Sequence, residues 1–273
     1  MASPDRPEGL TIRSAKVKFA SRLATRSFRV EHREFLAEGP QAVREALKVS
    51  GAVIEIFVTD EAAAHYPELV PPDVDVHRVD VHRVDERVLK VIADTVQPQG
   101  IIARCRFVDR PIADVVAVTP KLVVVCADIR DPGNAGAVIR CADAAGADAV
   151  IFTGNSVDPF NPKAVRASVG SLFHLRLVIA NDTAAVVSQL KAAGLTVLAA
   201  DGAGSIDLFA DEDALVAPTA WLMGNEAWGL PDGVAALADH TVSIPIFGQA
   251  ESLNLATAAA ICLYASARAH QTR

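Results

Sequence analysis

The sequence is poor in cysteine, and the few cysteines it has show no metal-binding arrangement. They stand far apart, without a CxxC pair or a Cys/His cluster at metal-ligand spacing. Each lies in an apolar context, which is typical of a small core residue. We therefore expect no metal site. The cysteines are Cys105, Cys126, Cys141 and Cys262.

The sequence also lacks long hydrophobic runs. No apolar signal region opens the chain, and no stretch approaches the ~18–20 apolar residues of a membrane span. Together with the scattered cysteines, this absence predicts a soluble protein in the reducing cytoplasm. Aromatic residues are scarce as well, with two Trp and two Tyr among 273 residues, so Val, Leu, Ile and Ala must build most of the core.

A net positive charge is absent too. The formal charge is −7, which argues against a polycation that coats nucleic acid nonspecifically. Residues 1–33 are an exception, because they carry eight Lys or Arg residues against three acids. Residues 13–29 alternate these cations with apolar residues at helical spacing, which predicts a basic amphipathic helix. Such a segment suits contact with a polyanion, and it equally suits a solvated helix face.

The remaining chain divides into two α/β parts. Residues 34–108 alternate helices with strands, which predicts a compact α/β module. Residues 109–120 are expected to be a linker. From Lys121 onward strand and helix patterns alternate, beginning with the apolar run Leu122–Ala127, which is typical of a strand covered on both faces. This predicts an open, largely parallel α/β domain of about 150 residues, in which ligands sit beyond the carboxyl ends of the strands.

Three loops at predicted strand ends form the candidate ligand site. Loop 128–136 leads into a helix that carries Arg140, loop 224–231 holds Glu226 between two glycines, and loop 244–254 leads into an Ala-rich helix. The GxGxxG dinucleotide fingerprint and the GxxxxGK[ST] phosphate loop are absent. A Ser-His-Asp order, paired glycosidase carboxylates and HExxH are absent as well. The loops therefore predict a ligand site without naming the ligand.

Each candidate residue also has a purely structural explanation, which the sequence leaves open. Arg140 could pair with Asp143 on the same helix instead of binding a ligand. Glu226 could be an N-terminal helix charge, and loop 244–254 could be an ordinary strand-to-helix turn. Residues 161–170, which include Arg166, could bind phosphate or simply cap and solvate a helix.

Taken together, the three loops resemble a known family. They contain Asn134-x-Gly-x-x-x-Arg140, then Met223-Gly224-Asn225-Glu226-x-x-Gly229-Leu230, then Ile244-Pro245-Ile246-x-Gly248-x-x-x-Ser252-Leu253-Asn254. In order and spacing these resemble the three motifs of the SpoU/TrmH family, SPOUT-class RNA ribose 2′-O-methyltransferases that include a thiostrepton-resistance group. The similarity covers 121–270. Segments 35–39 and 98–101 resemble the ribosomal-protein-like RNA-binding domain found ahead of it in many members.

The resemblance implies the architecture and the partners. The α/β fold would comprise a C-terminal SPOUT methyltransferase domain, residues 121–273, with a parallel sheet and a deep trefoil knot. A smaller α/β RNA-substrate-binding domain would occupy 1–108, with 109–120 as the linker. The resemblance also implies S-adenosylmethionine as cofactor and an RNA substrate, rRNA rather than tRNA. It further implies a homodimer, in which the Ala-rich helix 255–269 packs against the partner chain. The first alternative is a tRNA ribose 2′-O-methyltransferase, and the second is a non-catalytic RNA-binding protein of the same fold.

The resemblance further implies which residues hold the cofactor. By position, the backbone of Gly224, Ile244 and Leu253 is expected to bind it, with Leu222 and Ser252 close by. An adenine ring needs an apolar slot edged by backbone donors and acceptors, which these positions would provide.

Arg140 matches the family's catalytic arginine. Because a guanidinium stays protonated in proteins, we expect it to bind the target phosphate and polarise the ribose hydroxyl rather than act as a base. Whether it acts within its own chain or across the dimer is left open. The other expected catalytic residues, which would shape the pocket, are Asn134, Glu226, Ser252 and Asn254. The expected RNA-binding residues are Lys16, Lys18, Arg22, Arg26 and Arg166.

Overall fold

The computed structural model describes residues 9–70, 79–210 and 215–271, which form two compact units. The first unit comprises the described residues up to Val108 and the segment Phe160–Phe173. The second comprises Asp109–Pro159 and the described residues from His174 onward. The segment 160–173 thus packs with the first unit although the expected boundary placed it in the C-terminal domain. Among the described residues, no helix combines the length and apolar composition needed to cross a lipid bilayer.

The first unit is built on a mixed four-stranded sheet in the order β1-β4-β2-β3. Strands β1 and β2 run antiparallel to β4, and β3 runs parallel to β2. Apolar side chains from the first helix, the fifth helix and the sheet form its core. In chain order the elements are α1 (Ala15–Arg22), α2 (Arg26–His32), β1 (Glu34–Glu38), α3 (Pro40–Lys48), β2 (Val53–Val58), α4 (Asp60–His65), β3 (Asp80–Arg83), α5 (Glu86–Ile92) and β4 (Ile101–Arg106).

The single basic helix expected over 13–29 is wrong, because the structure breaks it into α1 and α2. The break follows from Arg29, whose buried guanidinium donates to the carbonyls of Leu23 and Ala24 at 2.8 Å each. These are carbonyls at the end of α1 that have no helical donor, so Arg29 caps that helix from the next one. The helical spacing of the basic residues could not show that one of them, Arg29, caps a helix inside the protein.

The second unit holds a seven-stranded sheet in the order β7-β6-β5-β10-β8-β11-β9, and all neighbouring pairs are parallel. This confirms the predicted parallel α/β fold. The elements are α6 (Ile112–Val116), β5 (Leu122–Ala127), α7 (Pro132–Ala144), β6 (Ala149–Thr153), β7 (Arg176–Ile179), α9 (Thr183–Ala192), β8 (Thr196–Ala200), β9 (Ile206–Asp207), β10 (Thr219–Met223), α10 (Asp232–Ala235), β11 (His240–Ser243) and α11 (Leu255–Gln271). Helix α8 (Pro162–Ser168) falls between β6 and β7 in sequence but lies in the first unit.

The expected linker 109–120 is not free of structure. It contains α6, and Val115 on that helix is fully buried in the core of the second unit. Pro111 stands directly before the first helical residue, at the N-cap. The segment therefore belongs to the second unit.

Helix α11 packs within its own chain along one face. Leu255, Ala259, Cys262 and Leu263 on that face are buried, and the helix lies against α7, β5 and β10. Trp221 Nε1 on β10 donates to the buried Ser266 Oγ at 2.9 Å, which anchors the helix to the sheet. The face of α11 that carries Leu255, Ala259, Cys262 and Leu263 therefore packs within its own chain, and the expectation that it packs on a partner chain is wrong.

Candidate active site

The three motif loops all leave the sheet of the second unit at its carboxyl edge. Loop 128–136 follows β5, loop 224–231 follows β10 and loop 244–254 follows β11. Strands β5 and β10 are neighbours, and only β8 stands between β10 and β11. Because the neighbouring strands are parallel, their ends bring the loops to one edge, where a crevice is the usual ligand site.

A cavity of about 470 Å³ opens at this edge. Its size lies within the range of small-molecule sites. The wall includes apolar residues and residues of the second and third loops. Its residues are Ala200, Asp201, Gly202, Met223, Gly224, Asn225, Glu226, Ala227, Gly229, Val242, Ile244, Ile246, Glu251, Ser252, Leu253, Asn254, Leu255 and Ala258.

A hydrogen-bond relay joins one residue from each loop. Asn134 Nδ2 donates to Glu226 Oε1 at 3.1 Å, and Asn254 Nδ2 donates to Asn134 Oδ1 at 3.0 Å. The amide of Asn134 thus uses its donor on the second loop and its acceptor on the third. The sequence predicted these residues as a group, and the structure brings all three together.

Glu226 also folds the first loop onto the second. Its carboxylate accepts from the backbone N–H groups of Arg130 at 3.2 Å and Asp131 at 3.3 Å. Nearby, Asn225 Nδ2 donates to the carbonyl of Asp128 at 2.7 Å. The carboxylate of Glu226 therefore acts as an anchor between loops, which answers the alternative that it is only a helix charge.

The second loop is closed tightly on itself. Asn225 and Gly229 exchange two backbone hydrogen bonds, each 2.9 Å long. A Cβ placed on Gly224 would lie 2.4 Å from the carbonyl carbon of Gly229 and 2.5 Å from the amide nitrogen of Leu230. Only glycine fits at position 224 with this backbone.

Most expected cofactor residues lie on the cavity wall, with one exception. Gly224, Ile244, Ser252 and Leu253 line the cavity, whereas Leu222 is fully buried in the hydrophobic core. In β10 alternate side chains face opposite sides, and Leu222 faces the core side.

Sequence reasoning missed a fourth contribution to the wall. Asp201 and Gly202 follow β8, which lies between β10 and β11. The segment carries no motif, and only the strand order would have brought it to this edge. Glu251 in the third loop was also missed, although the quoted motif spans its position.

Arg140 stands apart from the cavity wall. Its side chain on α7 is exposed, and among the described residues it has no ion-pair or hydrogen-bond partner. The alternative partner, Asp143, instead accepts a hydrogen bond from His174 Nδ1 at 2.8 Å. The structural explanation for Arg140 is therefore absent, and its guanidinium is available to a ligand.

The expected RNA-binding residues fall into two classes. Lys18, Arg22 and Arg26 are exposed and have no carboxylate partner in the described part of the chain. In contrast, Lys16 Nζ lies 2.9 Å from Asp80 Oδ2, and this hydrogen bond raises the pKa of Lys16.

Arg166 is also neutralised within the chain, which argues against a role in binding RNA. Its guanidinium lies 2.8 Å from Asp94 Oδ2 and 3.4 Å from Glu38 Oε2, with both partners in the first unit. The Arg166 side chain is mostly buried there.

Three of the four cysteines are buried core residues. Burial raises the pKa of Cys105 and Cys126 far above the ordinary thiol range, and raises that of Cys262 to about 12. These thiols stay protonated at neutral pH, as expected of core residues.

Comparison with known proteins identifies two matching regions. Residues 121–264 match the SpoU rRNA Methylase family, and residues 14–103 match the MRM3-like substrate binding domain. The chain is 35% identical over 255 residues to the 23S rRNA (guanosine(2553)-2′-O)-methyltransferase RlmP of Bacillus subtilis. That alignment covers 92% of this chain and 96% of the relative.

Two solved structures are similar over nearly the whole chain. The AdoMet-bound rRNA methyltransferase from Sinorhizobium meliloti superposes with a TM-score of 0.82 at 32% identity, covering 94% of this chain and 96% of that one. The SpoU methyltransferase AviRb from Streptomyces viridochromogenes, in complex with AdoMet, gives a TM-score of 0.84 at 29% identity, covering 95% of this chain and 100% of that one.

Proposed function

The chain belongs to the SpoU rRNA methylase family, and from that premise we propose which of its residues carry out the reaction. The protein is an S-adenosylmethionine-dependent methyltransferase that methylates a ribose 2′-hydroxyl of ribosomal RNA. The observation that carries the residue-level proposal is the relay Glu226–Asn134–Asn254, because it joins all three motif loops at the rim of one cavity.

The cavity is proposed to hold the cofactor, which supplies a methyl group activated on a sulfonium. Gly224, Ile244 and Leu253 line its wall, and their backbone groups are proposed to bind the edge of an adenine ring. Asp201 and Glu251 add carboxylates to the same wall, positioned to accept hydrogen bonds from hydroxyl or ammonium groups. The site thus offers an apolar slot with acceptors, as a charged nucleoside needs.

Arg140 is proposed to bind the phosphate next to the target ribose. Its guanidinium is exposed and, among the described residues, has no acidic partner that would have to be displaced. A fork of N–H donors holds a phosphate in a fixed orientation, which would place the 2′-oxygen in line with the methyl group. Since Arg140 stays protonated, it does not take up the proton of the hydroxyl.

The relay is proposed to fix the shape of the pocket. Glu226 holds the first loop through backbone donors, and Asn134 transmits that position to Asn254 on the third loop. Small errors in the placement of reacting atoms cost rate steeply, so a relay of this kind serves catalysis without contacting the reacting atoms. Ser252 lies beside it on the wall, with its hydroxyl available to the substrate.

A deep trefoil knot is proposed for the end of the chain. Strand β10 is inserted between β5 and β8, which precede it in sequence, and α11 then packs on α7 and β5. Passage of the last segment through an earlier loop would account for this order. It would also keep loop 244–254 from separating from the other two.

A homodimer is proposed in which Arg140 serves the cofactor of the partner chain. Support comes from the position of Arg140 off its own cavity wall and from exposed apolar side chains at Ile246, Phe247 and Tyr264. A dimer with Arg140→Ala in one chain and Gly224→Ala in the other would then keep one working site. Because half of randomly mixed dimers are of this kind, we expect about a quarter of wild-type activity.

The measurement is methyl transfer to rRNA by the random mixture of dimers obtained when the two variants are coexpressed. At an S-adenosylmethionine concentration well below the dissociation constant of the Gly224→Ala variant, each variant alone is expected to have little activity, which provides the baseline. A mixed dimer as inactive as the two parents would show that Arg140 acts in its own chain.

The first unit is proposed to bind rRNA through the exposed cations of α1 and α2. Changing Lys18, Arg22 and Arg26 to alanine together is expected to weaken rRNA binding and to lower the slope of log affinity against log salt by about 2–3. The measurement is a filter-binding titration across salt concentrations. Lys90→Ala is the matched control, because Lys90 is exposed in the same unit but lies 3.5 Å from Glu86. An unchanged slope in the triple variant would contradict the assignment.

Mapping of 2′-O-methyl groups tests the function as a whole. Total RNA from cells with and without the gene should differ at one or a few rRNA positions, in unpaired loops whose bases are accessible. A difference confined to tRNA would favour the alternative substrate. Detection of no difference, together with no binding of S-adenosylmethionine by calorimetry, would favour a non-catalytic RNA-binding protein. We also propose that the protein acts in the cytoplasm, where ribosomes are assembled.

A further inference from the structure

Arg140 has a potential partner on its own helix that it does not use. Asp143 follows it by three residues on α7, so the two side chains are neighbours on the helix surface and have opposite charges. Asp143 Oδ2 nevertheless accepts from His174 Nδ1 at 2.8 Å, while Arg140 is exposed and unpartnered among the described residues. The imidazole therefore binds Oδ2 of the carboxylate that could otherwise pair with the guanidinium.

The helix end explains why Asp143 needs a donor. It lies in the last turn of α7, where the negative end of the helix dipole disfavours a carboxylate. Two donors are close in sequence or space, Arg140 on the same helix and His174 just before β7. When His174 supplies the hydrogen bond, the carboxylate has its partner and Arg140 is left for a ligand.

We propose that His174 is a positioning residue that holds Asp143 away from Arg140, and so keeps the guanidinium available to an RNA phosphate. The inference rests on the proposed phosphate-binding role of Arg140. Without His174, Asp143 would turn toward Arg140 and neutralise it, and its charge would also repel the incoming phosphate. Both effects weaken the engagement of RNA, and neither involves the cofactor cavity, because Asp143 and His174 are not on its wall.

The test is a set of substitutions at these two positions, measured by steady-state methyl transfer to rRNA. His174→Ala is expected to raise the KM for RNA roughly 3- to 10-fold at low salt, and less at high salt because charge effects are screened. The affinity for S-adenosylmethionine, measured by calorimetry, should not change. His174→Asn should keep near wild-type activity, because its amide donor can replace Nδ1 of the imidazole.

A second substitution distinguishes the proposed positioning role of His174 from a general loss of structure in His174→Ala. Adding Asp143→Asn to His174→Ala removes the competing charge and should return the KM to within about twofold of wild type. His270→Ala is the matched control, since it removes another histidine that hydrogen-bonds to a backbone carbonyl, that of Ala217.

Two outcomes would overturn the inference. One is a wild-type KM in His174→Ala, and the other is a raised KM that Asp143→Asn fails to restore. Failure of the proposed function looks different, because Arg140→Ala would then retain activity. If Arg140→Ala is inactive while His174→Ala is indistinguishable from wild type, only the positioning role is lost.

Discussion

Arg140→Ala is expected to lower methyl transfer at least about 10²- to 10³-fold, the usual loss when one positioned donor is removed from a transition state. The affinity for S-adenosylmethionine should stay within about twofold of wild type, because Arg140 is not on the cavity wall. The reason is that alanine leaves no group to orient the target phosphate, so the ribose oxygen is no longer held in line with the methyl group. Single-turnover transfer and calorimetry measure the two quantities separately.

Graded variants sharpen the test of Arg140. Arg140→Lys keeps the charge but loses the planar fork, so we expect activity between those of wild type and the alanine variant. Arg110→Ala is the matched control, because Arg110 is another exposed arginine of the second unit, 3.9 Å from Asp114. If Arg140→Ala transfers methyl groups at a rate near that of the wild type, its assigned role is wrong.

The location of the site could be predicted from the pattern of strands in the sequence. The apolar run of β5 and the glycine-bounded loop after β10 placed the motif loops at strand ends, and parallel strands bring such ends to one edge. The resemblance to the SpoU/TrmH family then implied the residues of the relay as a group. The fold class followed from the same alternation of strands and helices.

What the sequence could not give is the order of the strands. Asp201 reaches the cavity only because β8 lies between β10 and β11, and no motif marks that segment. Leu222 lies in the core rather than on the cavity wall for a related reason: the resemblance implied a position near the cofactor but not the face of β10 on which the side chain lies. These properties are set by long-range pairing, which local spacing does not encode.

Competition between partners is equally hidden from the sequence. Arg29 looked like one more cation of a basic helix, yet it caps α1 and is buried. The choice of Arg140 between a ligand and Asp143 is decided by His174, which stands far away in sequence. In each case a helical pattern shows which side chains could meet, while packing decides which ones do.

Gly224→Ala is expected to weaken binding of S-adenosylmethionine about 10- to 100-fold, corresponding to the ~1–3 kcal/mol cost of overpacking. The added methyl would meet the backbone of Gly229 at 2.4 Å and that of Leu230 at 2.5 Å, and backbone atoms cannot move aside as a flexible side chain can. The loop would have to open, which displaces the cavity wall at Gly224 and moves Glu226 away from Asn134. Calorimetric titration of the cofactor measures the loss.

Gly233→Ala is the matched control for this steric effect. Gly233 lies at the start of α10 in the same unit, and a Cβ there would meet nothing within 4 Å. Both variants introduce one methyl group, so a selective loss in Gly224→Ala isolates the contact with the loop backbone, provided that circular dichroism shows both variants folded. A dissociation constant within twofold of wild type for Gly224→Ala would mean that the loop relaxes without cost, and that its tight closure does not form the cofactor site.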